Sequence, residues 1–338
     1  MTMTKIEWAD RTWNPVTGCT PISEGCENCY ASRMAKRLVG RCGYSADEPF
    51  RVTLHPDRLE QPLRWEKPQR IFVCSMGDLF HPDIPIEFVA EVFDVMASWK
   101  LKCRKKECEH DELCWHDPGH TYMILTKRPQ RIAETFEKMI EHVGRHWPGD
   151  MALNVSLEVD DWPLPNVWLG VTAENQQRAD ERIPILLQIP AAVRFVSVEP
   201  MLGPVRLDRL SRHSTQDDWI YFDNALTGFK AHKAGGWFEN KLDWIICGGE
   251  TGPGARPMHP DWAMSLQDQC QVAGVPFFFK QWGEWVSPSQ MPGETYREIE
   301  DFGNGIGITN NPRRVGKKRA GRLLDGREWS EFPGVSRP

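Results

Sequence analysis

Short apolar runs alternate along the chain with longer stretches whose apolar residues recur every three or four positions, the signatures of buried strands and amphipathic helices. Strands are predicted at Lys5–Trp13, Arg51–Leu54, Arg70–Cys74, Tyr122–Leu125, Val167–Val171, Val193–Val198, Trp244–Cys247 and Pro276–Phe279. Helices are predicted at Asn28–Val39, Pro56–Trp65, Ile86–Trp99, Pro129–His142, Asn175–Gln188, a short one near Leu207–Leu210, and Asp261–Ala273. In Ile86–Trp99 the residues Phe88, Val89, Val92, Phe93 and Met96 form an apolar stripe suited to lie on a sheet. Eight β/α units in series predict an α/β chain with a parallel sheet, and a closed (β/α)8 barrel of the TIM type uses that number of strands.

The residues just after each strand support the same picture, because a barrel assembles its active site at the C-terminal strand ends. The apolar runs give way to Ser75 and Asp78, to Thr126, Lys127 and Arg128, and to Thr172, Glu174 and Asn175. Later they give way to Glu199, to Gly248, Gly249 and Glu250, and to Lys280, Gln281 and Trp282. Any one strand ends in a polar turn for ordinary reasons, but six together point to one shared mouth. Two segments break the repeat. His213–Lys241 is rich in aromatic residues and glycine, and the chain continues well past Trp285. Long irregular segments in compact domains are usually functional or disordered, so a lid and a C-terminal extension are expected. The predicted organisation is a barrel over 1–284, with insertions at about 101–120 and 213–241, and an extension over 285–338.

Composition adds exclusions. With 40% hydrophobic and 26% charged residues and a net charge of -6, the 338 residues read as an ordinary globular chain. No stretch approaches the ~20 apolar residues of a membrane helix, since Ile183–Val198 is broken by Gln188, Pro190 and Arg194. The start, MTMTKIEWADR, shows no apolar signal region, so a cytoplasmic location, reduced thiols and no membrane partner are expected. Against the negative net charge, Arg313, Arg314, Lys317, Lys318, Arg319 and Arg322 make a local basic patch. It suits a phosphate backbone or is a solvated tail.

Six of the ten cysteines fall into two clusters. Cys19, Cys26 and Cys29 offer three thiolates with no histidine nearby, which fits a soft iron–sulfur centre with one iron left open better than a four-ligand zinc site. Cys103, Cys108 and Cys114 are interleaved with His110, His116 and His120, a mix suited to a closed tetrahedral Zn2+ site. His116 is the candidate fourth ligand and His110 the alternative; a charged loop without metal is the competing reading.

The motifs WNPVTGC, GCENCYA, MGDLFHPDIP, LTKRP, LGVTAEN, SVEPMLGP, GGETGPGARP and AGRLLDGREW together resemble the phage-associated three-cysteine-motif family, along nearly the whole chain. That family is similar to radical SAM enzymes, and most similar to the spore photoproduct lyase branch. There the cluster motif ends like Cys29-Tyr30, a later strand like Asp78-Leu79-Phe80-His81-Pro82, and another like Thr126-Lys127. The resemblance implies a radical SAM-like barrel in which Cys19, Cys26 and Cys29 hold a 4Fe-4S cluster, with S-adenosylmethionine on the open iron. It also implies an electron donor such as a reductase, and a three-Cys-motif partner protein. Two departures stand out. Six residues separate Cys19 from Cys26 where three are usual, and Gly248-Gly249-Glu250 follows the seventh strand instead of the second, so its methionine-binding role is not carried over.

The chemistry expected is reductive cleavage of S-adenosylmethionine and hydrogen abstraction from a nucleic acid or nucleotide. Asp78, Glu174 and Glu199 are candidates for ribose hydroxyls or amines, and Lys127, Arg128 and Lys280 for a carboxylate or phosphate. Thr126, Glu174, Asn175 and Glu250 are the cofactor-binding candidates, and Tyr30 and His81 the candidate relays. The alternatives are a non-radical iron–sulfur or zinc protein that binds nucleic acid, and a scaffold for a partner protein.

Overall fold

The computed structural model describes residues 4, 6–98, 119–143, 163–213, 220–232, 235–291 and 312–334. Cys103, Cys108, His110, Cys114 and His116, the expected zinc ligands, lie outside the described residues. The frame is a sheet of seven strands: β1 (Arg11–Trp13), β2 (Arg70–Val73), β3 (Thr121–Thr126), β4 (Val167–Thr172), β5 (Val193–Val198), β6 (Trp244–Gly248) and β7 (Phe277–Gln281). Their order in the sheet is their order in the chain, and every neighbouring pair is parallel.

The sheet is open and strongly curled, a half-barrel, which corrects the closed (β/α)8 barrel expected from the sequence. The missing strand is Arg51–Leu54. Only Thr53 and Leu54 are extended, and they pair antiparallel with Val16 and Thr17 in a separate two-stranded ladder. Pro56 follows one residue later, opens a 3-10 turn and ends the run. The helix expected at Pro56–Trp65 is likewise two 3-10 turns, Pro56–Arg58 and Pro62–Arg64, because Pro62 interrupts it. Near Leu207–Leu210, Leu210 opens a strand that runs to His213.

Alternation along the strands splits the apolar residues between two cores. On the outer face Ile71, Val73, Ile124, Leu169, Val196 and Phe279 pack against the helices. α1 (Tyr30–Arg37) buries Ala31 and Ala35 in a separate small cluster with Tyr44 and Met76, and the helices on this face are α2 (Ile86–Ala97), α3 (Pro129–Val143), α4 (Gln176–Gln188) and α5 (Pro260–Ala273). The expected stripe of Phe88, Val89, Val92, Phe93 and Met96 is buried there. With both faces covered, β4 and β6 are buried throughout, as a parallel sheet requires.

The inner face is filled mainly by rings. Trp168, Phe195, Trp244 and Phe278 meet Trp8 from before β1 and Phe332 from the far end of the described chain. Trp244 is the hub, with Trp8, Trp168 and Phe278 edge-on at 6.3, 5.9 and 6.1 Å and Phe332 at 5.1 Å. Its indole N–H donates to the Glu331 carbonyl at 2.8 Å. The same segment covers the open edge of β7. Phe279 N donates to Trp329 O, Glu331 N donates to Phe277 O, and Ser330 bridges antiparallel to Phe278.

The insertion before β6 is two antiparallel hairpins, Leu210–His213 with Ile220–Asp223 and Phe229–His232 with Gly235–Phe238. Described hydrogen bonds tie this region to α4. Ser211 is bonded to Asp180, and Asn240 Nδ2 donates to Leu187 O. Among the described residues no helix is long and apolar enough to cross a membrane.

The inner core leaves no slack at Gly170, where a Cβ would stand 2.5 Å from the ring of the fully buried Phe195. Gly170→Ala is expected to cost about 1–3 kcal/mol, read as a lower urea midpoint at unchanged m-value. An unchanged midpoint would show that the ring has room to move.

Candidate active site at the C-terminal strand ends

The loop carrying Cys19, Cys26 and Cys29 lies across the C-terminal ends of the strands and is fastened there at three places. The first is its start. Asp78, after β2, accepts from Thr126 Oγ1 at 2.7 Å and from Arg128 Nη1 at 2.9 Å. Arg128 also reaches the Cys19 sulfur at 3.4 Å and the Thr20 carbonyl at 2.9 Å. Arg128 is itself buried, so its charge is met by a carboxylate and the loop together. His81 Nδ1 accepts the Asp83 amide at 3.2 Å, so the neutral ring carries its proton on Nε2 and donates it to Thr20 Oγ1 at 2.8 Å. Burial and the Arg128 charge keep this imidazole below its ordinary pKa.

The second fastening is the middle of the loop. Glu174, after β4 and fully buried, accepts from Ser23 Oγ at 2.6 Å, from Arg182 Nη1 at 2.8 Å and from Lys127 Nζ. Burial pushes this carboxyl up, but the Lys127 and Arg182 charges outweigh it and hold the pKa below its ordinary value. A Cβ on Gly25 would overlap the Glu174 carboxylate, so the loop passes there as glycine. Beside it Asn175 bonds Glu24 and caps α4 through the Arg178 amide at 3.0 Å, while Arg178 Nη2 donates to Glu24 at 2.9 Å.

The third fastening is the end of the loop. Glu250, after β6, takes two hydrogen bonds from the Arg256 side chain at 2.9 and 2.7 Å and one from Asn28 Nδ2 at 3.1 Å. Arg256 also donates to the Glu24 carbonyl at 2.9 Å. Glu199 and Lys280 face each other at 2.7 Å across the ends of β5 and β7. Tyr30, the first residue of α1, is 56% exposed.

The strand-end residues expected from the sequence are thus gathered around one loop. Asp78, His81, Lys127, Arg128, Glu174, Asn175 and Glu250 bind the loop and one another, whereas Glu199 and Lys280 form a pair of their own. The loop's own anchors, Thr20, Ser23, Gly25 and Asn28, and their partners Arg178, Arg182 and Arg256 are absent from the sequence-derived candidates. A signal for the anchors is present in the polar residues and glycine interleaved between the cysteines.

Cys19, Cys26 and Cys29 are free and partly exposed. Burial and the Asp78 charge push Cys19 up to about 11, and Cys26 is near enough to add to this. At Cys26 burial acts upward, but the Lys127 ammonium and the amides of Ile22 and Ser23 bring the thiol below its ordinary value. Among the described residues no three or more His, Cys, Asp and Glu side chains are gathered about one point as a metal ion needs. An iron–sulfur cluster takes thiolates on separate irons, and three free thiols on one clamped loop fit that donor set.

A model of one protein family, described as a protein of unknown function (DUF5131), matches residues 3–103 and 109–333. No curated protein and no solved structure matches.

Replacing Glu174 by Gln keeps its shape but leaves the buried Arg182 and the partly buried Lys127 beside a neutral amide, at an expected cost of about 3–5 kcal/mol. Because the folded carboxyl titrates below its ordinary 4.5, its stabilisation is complete above that pH and is lost as the pH falls through the folded value. Urea stability measured from neutral to acidic pH should therefore fall less steeply for Glu174→Gln than for the parent. Parallel curves would remove this ion pair from the account.

Proposed function

We propose that this chain, which belongs to the DUF5131 family, is a radical SAM-like iron–sulfur enzyme acting on a nucleic acid or nucleotide. The observation that carries the reading is the fastening of a three-thiol loop over the C-terminal ends of a parallel half-barrel by charges from β2, β3, β4 and β6. A scaffold alone does not require so many buried charges to be spent on one loop. Fixed geometry is what a reactive centre needs, since small displacements of reacting groups are costly.

Cys19, Cys26 and Cys29 would hold a 4Fe-4S cluster whose open iron takes S-adenosylmethionine. When bound, these cofactors supply one-electron cleavage of the sulfonium bond and a 5′-deoxyadenosyl radical, with the electron drawn from a reductase. The protein's part is positional. Lys127 sets positive charge beside Cys26 and favours its thiolate, while at Cys19 the Arg128 N–H opposes the burial and the Asp78 charge that push the thiol up. His81 holds Thr20 in place through its Nε2 proton. The Glu199–Lys280 pair, which does not bind the loop, is left to meet the substrate. Its carboxylate accepts hydroxyls or amines and its ammonium meets a phosphate or carboxylate.

A second reading, a scaffold acting with a partner protein, draws on a different observation. Ile220, Phe222, Trp237 and Phe238 on the two hairpins are exposed large apolar side chains.

Anaerobic purification is expected to yield about four irons per chain, and addition of dithionite and S-adenosylmethionine to release 5′-deoxyadenosine. Cys26→Ala should lose both. Unchanged iron in that variant would sink the ligand assignment, and iron without deoxyadenosine would sink the radical reading.

A further inference from the structure

One basic side chain beside the loop is used by none of the three fastenings. Arg33 lies on α1, one turn beyond Cys29, and its main-chain N–H donates to the Cys29 carbonyl at 3.2 Å. Its guanidinium rests on Gly252, where a Cβ would overlap Nη1. Nη1 is buried and has no hydrogen-bond partner among the described residues. A buried cationic N–H without an acceptor is unfavourable, and such groups in folded proteins call for an explanation.

A second arginine touches the same segment. Arg314 Nη2 donates to the carbonyls of Gly252 and Pro253 at 3.1 and 2.9 Å. Arg314 is exposed, and the exposed Lys317 and Lys318 come shortly after it in the chain. The nearby Glu284 accepts the Gly252 amide at 3.0 Å. Gly252 has φ +102°, a conformation that favours glycine, and its missing side chain leaves the space that the Arg33 guanidinium fills.

We infer that Arg33 and Arg314 form a phosphate site across Gly252, at the rim of the cysteine loop. Arginine forks match the several acceptor oxygens of a phosphate, and the unpaired Nη1 of Arg33 supplies a donor that no described protein acceptor meets. The site would fix the substrate's phosphate one helical turn from Cys29. This rests on the nucleic acid or nucleotide reading above and gives that substrate a point of attachment. The phosphate comes from either a free nucleotide or a polynucleotide backbone.

The full chain is titrated with inorganic pyrophosphate by calorimetry and with a fluorescent single-stranded oligonucleotide by anisotropy. Arg33→Gln and Arg314→Gln are each expected to weaken binding by about tenfold. Lys67→Gln, an exposed change just before β2 at the opposite end of the strands, should leave it unaltered. If the source is a backbone, each arginine lost lowers the oligonucleotide's log–log salt slope by about 0.7. If it is a free nucleotide, the loss appears with pyrophosphate while the oligonucleotide slope stays the same. No binding by the parent chain, or equal binding by both arginine variants and the parent, overturns the site. Neither titration needs iron. Arginine-dependent binding without deoxyadenosine formation would thus count against the enzyme reading alone, and the reverse against this site alone.

Discussion

A carboxylate shut away from water at the end of β4 sets the terms for the rest of the site. Glu174 stays ionised because Lys127, Arg182 and Ser23 together meet its oxygens. Lys127 comes from the end of β3, Arg182 from within α4, and Ser23 from the cysteine loop, so one buried charge ties a strand end, a helix and a distant loop to one point. Gly25 passes over it without a side chain. Asp78 with Arg128 and Glu250 with Arg256 repeat the device to either side. The loop's position is therefore fixed by the sheet that carries these charges.

The strands of this sheet are legible in the sequence because apolar runs bounded by polar turns are what a parallel sheet covered on both faces demands. Six of the predicted runs reach the sheet close to their expected limits, and from Lys5–Trp13 only Arg11–Trp13 does so. Arg51–Leu54 reads like the others, but its last two residues pair with Val16 and Thr17 and Pro56 stops it there. Whether a curled parallel sheet closes depends on strand count and stagger, and neither is written in local pattern. The curl instead holds a plug of aromatic rings, and its last edge is covered by residues 329–331.

The site is legible as a set of residues but not as a set of partners. Polar strand ends facing one mouth follow from topology once the strands are known. That Glu174 binds Ser23 at a separation of 151 residues, or that Arg256 reaches Glu24 at 232, depends on three-dimensional placement. Residues expected to face a ligand face the loop instead. Arg33 gives no sign of itself in the sequence, because nothing local distinguishes an arginine on a basic helix from one resting on a distant glycine.

The covered edge of β7 has a consequence for how the chain acquires its structure. Sheet order equals chain order, so each strand can dock on the one made just before it, and the outer core can grow through mostly sequence-near contacts. The inner filling cannot grow in this way. Trp244 waits for Trp8 on one side and for Glu331 and Phe332 on the other, groups drawn from opposite ends of the described chain. A nascent chain would thus carry a curled sheet with its aromatic face still wet until that late segment arrives. In that interval the β7 edge and the unfilled rings are both available to the wrong neighbour.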